Sequence, residues 1–293
     1  MITIRYYITL LAVFLCSCDV FAQASTVNIW EGTDVHKKVT LTPFLCEGRQ
    51  NACVIVCPGG SYFWHDTETE GIEVAKWLQK NGISAFVLDY RTALVPAFVF
   101  HTRYLVRGNQ YPDPQNDLQR AIEYVKDNAA AYGIDSHMVG AMGFSAGGHL
   151  VMSVAEMYRS KRTRPSFVAP IYPVVSFTAD CTHKRSKRGL LGERKSRVKA
   201  LEDSLSLEKH VPADCPPVFL VNCIDDPIVD YRNSVLLDSA LQAKGVNHVY
   251  IQYKTGGHGF GASETKGTEE CRNWKNEFLS WFSKIKMSLK MEE

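Results

Sequence analysis

A serine hydroxyl set between glycines is the first feature of this chain that could do chemistry. Gly143-Phe144-Ser145-Ala146-Gly147 follows the apolar run Met138-Val139-Gly140-Ala141-Met142, the order strand, sharp turn, helix. A serine hydroxyl becomes a useful nucleophile when a turn exposes it and a base removes its proton. The base candidate is His258 in Thr255-Gly256-Gly257-His258-Gly259-Phe260-Gly261, and the acid that would orient it is Asp226 in Asp225-Asp226-Pro227-Ile228-Val229. Asp225 is the alternative. Asp226 is preferred because the D-x-x-V spacing puts it on the inner turn of the loop. Each of these residues follows an apolar, strand-like run, so all can meet at one edge of a sheet.

Acyl transfer also needs donors for the developing oxyanion. One is the N–H of Ala146, directly after the serine, and the other is that of Gly60 or Ser61 in Cys57-Pro58-Gly59-Gly60-Ser61-Tyr62. Tyr62 and Trp64, in the aromatic run Tyr62-Phe63-Trp64-His65, are candidates to face a substrate, with plain packing as the alternative. His149 reads as structural, and Asp89 and Arg91 read as a charge pair at a strand end. The basic stretch from Lys184 to Lys199 reads as a solvated face, with attraction of an acidic polysaccharide as the other reading. The glycines around His258 open no helix of a βαβ unit, which argues against nucleotide binding.

The elements that must position these groups alternate. Strand-like runs occupy 52–56, 84–88, 138–144, 167–172, 218–223 and 249–253. Between them, Leu118, Ala121, Ile122, Val125 and Ala129 have helical spacing, as do stretches near 74–78, 146–158, 235–243 and 274–285. Strands alternating with helices imply an α/β fold, a mostly parallel sheet covered on both faces. Two stretches interrupt the rhythm, near 92–114 and 181–210, and read as a small cap over the catalytic edge.

The chain has 293 residues, 45% hydrophobic and 22% charged, with a formal net charge of +2. That is enough length for one large domain, and the balance gives no general case for nucleic acid. Arg5, the apolar run from Ile8 to Leu15 and Ala22-Gln23-Ala24 have the order of an export signal covering 1–24, leaving 25–293 as the catalytic domain. Leu15-Cys16-Ser17-Cys18 offers a second reading, a lipid anchor at Cys18. Either reading places the protein in the periplasm, at the outer membrane or outside the cell, with no transmembrane segment beyond the N-terminus. The seven cysteines after residue 24 are odd in number, so they cannot all pair within one chain. Cys53 and Cys57 would lie about 13 Å apart on a strand, too far for a disulfide, and read as buried small side chains.

Together these motifs resemble the bacterial esterase/lipase branch of the α/β-hydrolases, which includes acetylxylan esterases. The likeness is carried by Pro58-Gly59-Gly60-Ser61-Tyr62, Leu88-Asp89-Tyr90-Arg91, Pro112 to Asp117, Gly143 to Leu150 and Gly256 to Phe260, and it covers roughly 45–285. It differs from that pattern in Cys57-Pro58 where lipase-type relatives have histidine, in Asn222-Cys223 where His-Gly is common, and in a longer insert from Thr92 to Tyr111. The resemblance implies the order Ser145, Asp226, His258 as a catalytic triad, no cofactor or metal, and a small-molecule or oligosaccharide ester as substrate. Acetyl esters of xylan are the favoured class. Non-carbohydrate esters, amide hydrolysis of the peptidase or arylformamidase kind, and a non-catalytic carbohydrate binder are the other readings. The oligomeric state is not legible in these residues.

Overall fold

A computed structural model describes residues 25–48, 51–99 and 109–291. Residues 1–24, read above as an export signal and including Cys18, and the middle of the first insert lie outside the described residues. The strands are β1 (Val27–Asn28), β2 (Thr40–Phe44), β3 (Asn51–Cys57), β4 (Ser84–Asp89), β5 (Ile134–Phe144), β6 (Val168–Ile171), β7 (Val218–Cys223) and β8 (His248–Tyr253). The helices are α1 (Glu73–Lys80), α2 (Val95–Val99), α3 (Asp113–Asp127), α4 (Ala146–Glu156), α5 (Lys184–Lys195), α6 (Lys199–Ser204), α7 (Arg232–Ala243), α8 (Glu269–Arg272) and α9 (Trp274–Met291). The strands form one sheet of eight in the order β1-β2-β4-β3-β5-β6-β7-β8. β3 to β8 run parallel to their neighbours, while β2 joins β4 and β1 antiparallel.

Period-two alternation along β3 explains why the sheet is covered on both faces. Cys53, Ile55 and Cys57 point into one apolar layer with Leu118, Ile122, Val125 and Leu150 of α3 and α4. Val54 and Val56 point into the other, with Val74 and Leu78 of α1 and Trp274, Phe278 and Ile285 of α9. Each such aliphatic side chain contributes about 1.5–3 kcal/mol when fully buried. Cys53 and Cys57 are both fully buried free thiols, as the strand spacing implies. The helix containing Leu118 starts earlier than its apolar spacing suggests, because Pro114 is tolerated in the first turn.

This topology brings the carboxyl ends of β3, β5, β6, β7 and β8 to one edge. The loops leaving them carry Gly59 to Ser61, Ser145, Tyr172, Asp226 and His258. The second insert folds as α5 and α6, and α5 lies hard against the loop after β3. A Cβ on Gly189 would stand 2.0 Å from the Ser61 carbonyl oxygen, so only glycine allows that approach. The two inserts also touch, through Tyr111 N–H donating to the Leu190 carbonyl at 2.9 Å.

One expectation needs correcting here. Asp89 and Arg91 do not pair with each other. Asp89 meets His65 Nδ1 at 2.9 Å, and Arg91 reaches across to α3, where Nη2 lies 2.7 Å from the fully buried carboxylate of Asp117. β4 ends at Asp89, so Arg91 lies beyond the strand, where the chain turns towards α3 and Asp117 captures its guanidinium.

Candidate active site

β5 ends at Phe144 and α4 begins at Ala146, so Ser145 alone makes the turn. Its φ of +54° is a conformation that costs a residue with a Cβ about 1–3 kcal/mol. The neighbours hold it there: Ser145 N–H donates to the Ile171 carbonyl at 3.0 Å, and its own carbonyl accepts from His149 and Val174, each at 3.2 Å. The flanking glycines let α4 close on the sheet, since a Cβ on Gly147 would sit 2.0 Å from the Cys57 carbonyl oxygen. Ser145 Oγ makes no capping bond to α4, although the residue stands at the helix N-cap. The hydroxyl is thereby left for other use.

Asp226 and His258 are brought together. The Asp226 side chain is 1% exposed, and its Oδ2 accepts from His258 Nδ1 at 2.6 Å. The other oxygen, Oδ1, accepts from the N–H groups of Ile228 and Val229 at 2.8 and 2.9 Å, so the carboxylate is fixed in direction. Asp225 has different work: it accepts from Gly256 and Gly257 N–H at 3.2 and 2.9 Å and so grips the glycine turn that precedes the histidine. With Nδ1 committed as a donor to a carboxylate, His258 Nε2 is an acceptor, the form a general base requires. Among the described residues no hydrogen bond joins Ser145 Oγ to His258.

The loop after β3 runs through three successive positive φ angles, +134° at Gly60, +56° at Ser61 and +62° at Tyr62. Its Gly60 carbonyl accepts from Phe63 and Trp64 N–H, which closes a tight turn. Among the described residues the N–H groups of Gly60 and Ser61 have no acceptor, and Ala146 N–H, first in α4, has none within its helix. These are the donors expected to face an oxyanion.

The turn also decides the fate of the aromatic run. Tyr62 points into the core at 1% exposure, its hydroxyl on His149 Nδ1 at 2.8 Å, so the expectation that it faces substrate is corrected. The positive φ rotates it away from the surface that Trp64 keeps. Trp64 packs on Phe98 of α2 at 5.4 Å between ring centroids and lines a cavity of 460 Å³ with His65, Asp89 and Arg91. Arg185 of α5 completes this side: its Nε donates to Ser61 Oγ at 3.0 Å and its guanidinium stands 5.8 Å from the Trp64 ring centre. His149 is structural, stacked on Phe177 at 4.7 Å, and burial pushes its imidazole down to about 4.

Three residues near the catalytic edge were not anticipated from the sequence. Glu70, between β3 and α1, is 3% exposed. Its Oε2 accepts from Gly59 N–H at 2.7 Å and its Oε1 from the Tyr172 hydroxyl at 2.9 Å. Tyr172 lies directly after β6 with its ring 4.6 Å from that of His258. His183, at the start of α5, is pushed down to about 4 by burial first and by the positive charge of Arg185. No group of His, Cys, Asp and Glu suited to hold a metal ion occurs among the described residues. No helix among them is long and apolar enough to cross a membrane.

A family model described as BD-FAE matches residues 46–241. An acetylxylan esterase of Xylanibacter ruminicola is 31% identical over 76% of this chain and 44% of its own length. An endo-1,4-beta-xylanase B of Butyrivibrio fibrisolvens is 31% identical over 71% of this chain and 32% of its own length. The chain thus spans less than half the length of these curated relatives. Among solved structures, an acetyl ester-xyloside bifunctional hydrolase from Caldicellulosiruptor lactoaceticus superposes with a TM-score of 0.78 at 31% identity, covering 90% of this chain and 97% of that one. The fold is that of the α/β-hydrolases, as the eight-stranded, mostly parallel sheet requires.

Proposed function

The chain belongs to the BD-FAE family, and from that premise we propose that it hydrolyses carboxylic esters of carbohydrates, acetylated xylan or its oligosaccharides first among them. Ser145 Oγ attacks the ester carbonyl while His258 Nε2 takes its proton. Asp226 holds the imidazole in the tautomer that leaves Nε2 free and stabilises the imidazolium that forms. The N–H groups of Ala146 and of Gly60 or Ser61 receive the oxyanion. A donor of this kind is worth about 2.7–4 kcal/mol of transition-state stabilisation. The imidazolium then gives its proton to the departing sugar oxygen, breaking the C–O bond and leaving an acetyl-enzyme. Water, deprotonated by the same His258, attacks that ester, and acetate leaves as Ser145 recovers its proton. Hydrogen bonds between nucleophile and base commonly tighten only once substrate is bound, which is consistent with the free geometry of Ser145 here.

The observation that carries this reading is the 2.6 Å contact of Asp226 with His258 at the sheet edge where a positive-φ serine opens α4. The resemblance to xylan-directed relatives supports the carbohydrate. The test is acetate release from acetylated xylo-oligosaccharides by the wild type and by Ser145→Ala, with p-nitrophenyl acetate alongside. Release that disappears in the variant is expected. Cleavage of the small ester with none of the oligosaccharide would retain the mechanism and overturn the substrate.

A further inference from the structure

We propose that Glu70 is a positioning residue which, through Tyr172, clamps the oxyanion loop and the histidine loop into one catalytic geometry. The inference rests on the reading of Ser145 and His258 given above.

The chain of contacts crosses three loops. Gly59 N–H, beside the oxyanion donors, ends on Glu70 Oε2 at 2.7 Å. The Tyr172 hydroxyl donates to Glu70 Oε1 at 2.9 Å and accepts from Gly261 N–H at 3.0 Å, three residues past His258. Tyr172 is pinned in its turn: its N–H donates to the Val221 carbonyl, and its ring lies 4.6 Å from both His258 and Phe260. Loops after β3, β6 and β8 therefore share one hydrogen-bonded string, with an acidic side chain at its centre.

Glu70 is buried and forms no ion pair with lysine or arginine among the described residues. Both of its oxygens are met by donors, an arrangement that suits a carboxylate and suits an amide badly. The groups facing it are His258 from the loop after β8, Tyr172 from the end of β6, the Gly59 N–H from the end of β3, and Asp66 from its own segment. Burial raises its protonation range, and attraction to His258 opposes that rise. Facing His258 are Asp226 at contact distance, the Tyr172 ring, Glu70, and His183 from the cap. Two carboxylates thus act on one imidazole. Asp226 touches it and sets its tautomer, whereas Glu70 acts from farther away and holds the loops that carry it. An ionised Glu70 also favours the imidazolium formed when Ser145 gives up its proton.

The test uses the full chain and a short-chain p-nitrophenyl ester, with kcat and KM followed across pH for Glu70→Gln, Tyr172→Phe and the double variant, and with Ser145→Ala as a control. Folding is checked by circular dichroism. Glu70→Gln is expected to lower kcat by about 10²-fold with KM held within about threefold, as misplacing catalytic groups does. The acid limb of its kcat/KM profile should move to lower pH, since the imidazolium loses a neighbouring negative charge. Tyr172→Phe should lower kcat by about tenfold and leave the acid limb in place. The double variant should be no worse than Glu70→Gln alone, because one string is broken once. A folded Glu70→Gln with wild-type kcat, or with an unmoved acid limb, overturns the inference. If Glu70→Gln does not fold, a wild-type kcat in Tyr172→Phe overturns it instead. Activity surviving in Ser145→Ala would overturn the underlying mechanism, while an inactive Ser145→Ala beside unimpaired Tyr172→Phe and Glu70→Gln would overturn only the role of Glu70.

Discussion

The floor of the site and its cap are built from different interactions. On the floor, short directional hydrogen bonds hold the groups around the reacting atoms: the Ser145 carbonyl accepts two N–H groups, Asp226 Oδ1 accepts two more while its Oδ2 holds His258, and Glu70 takes Gly59 N–H. On the cap, cations lie over aromatic rings, Arg185 at 5.8 Å from Trp64 and Arg188 at 5.1 Å from Phe63. Backbone hydrogen bonds fix position to tenths of an ångström, while a guanidinium over a ring tolerates sliding. The floor is suited to holding one fixed geometry, and the cap to accommodating ligands of different shape.

The comparison is broken most forcefully at the floor. Ser145→Ala should abolish ester hydrolysis, a loss on the order of 10⁴-fold or more, since removal of a triad nucleophile leaves only binding and the oxyanion hole. Circular dichroism should show the fold intact. The two adjacent aspartates sharpen the point. Asp226→Asn should cost about 10⁴-fold in kcat, because an amide facing His258 favours the wrong tautomer. Asp225→Asn should cost only about tenfold, because one of the Gly256 and Gly257 N–H groups keeps an acceptor and the contact of Asp226 with His258 is untouched. Equal losses at both positions would mean that the contact with His258 is not what matters.

This contrast also marks what was legible in the sequence. Ser145 and Asp226 follow the apolar runs of the buried parallel strands β5 and β7, and His258 follows the shorter run of the half-exposed edge strand β8. β1 and β2 were missed because β1 is only two residues long and β2 is a short antiparallel strand containing Pro43, so neither carries such a run. Glu70 was missed because Glu68, Glu70 and Glu73 look like the solvated start of a helix. Nothing in that spacing shows that a five-residue π-helical turn rolls Glu70 inward while Glu68 stays exposed. Tyr62 was misjudged for the converse reason, since side-chain type identifies an aromatic cluster and backbone φ chooses which of its members stays at the surface.

A middle-sized effect belongs to the cap. Arg185→Ala removes the donor to Ser61 Oγ and the cation beside Trp64. It should lower kcat/KM for an acetylated oligosaccharide by about tenfold or somewhat more, in line with about 1.5–3 kcal/mol for one charge-assisted hydrogen bond. It should change the rate on p-nitrophenyl acetate much less. A matching loss on both substrates would place Arg185 with the floor and erase the division.

The smallest effect is on stability, and it joins the two regions. His149 lies beneath the oxyanion loop and His183 opens α5, and both are pushed down to about 4. A histidine titrates near 6.5 in an unfolded chain. Between these values the unfolded state binds more protons than the folded one, so stability is full above about pH 6.5 and falls as the pH drops towards about 4. Urea midpoints across that interval should decline, and His149→Gln, which cannot titrate, should flatten part of the slope. His183 is less deeply enclosed and should contribute less. His149 Nε2 donates to the Leu205 carbonyl at 3.0 Å, and Leu205 belongs to the same insertion as the cap helices. Protonating His149 also turns its Nδ1 from an acceptor of the Tyr62 hydroxyl into a donor, so that hydroxyl must turn its own proton elsewhere. The oxyanion loop should then loosen together with the core beneath it. Activity lost on acidification would recover on neutralisation if it follows this equilibrium, and an acid loss that matched the urea midpoints in the wild type but not in His149→Gln would identify the residue responsible.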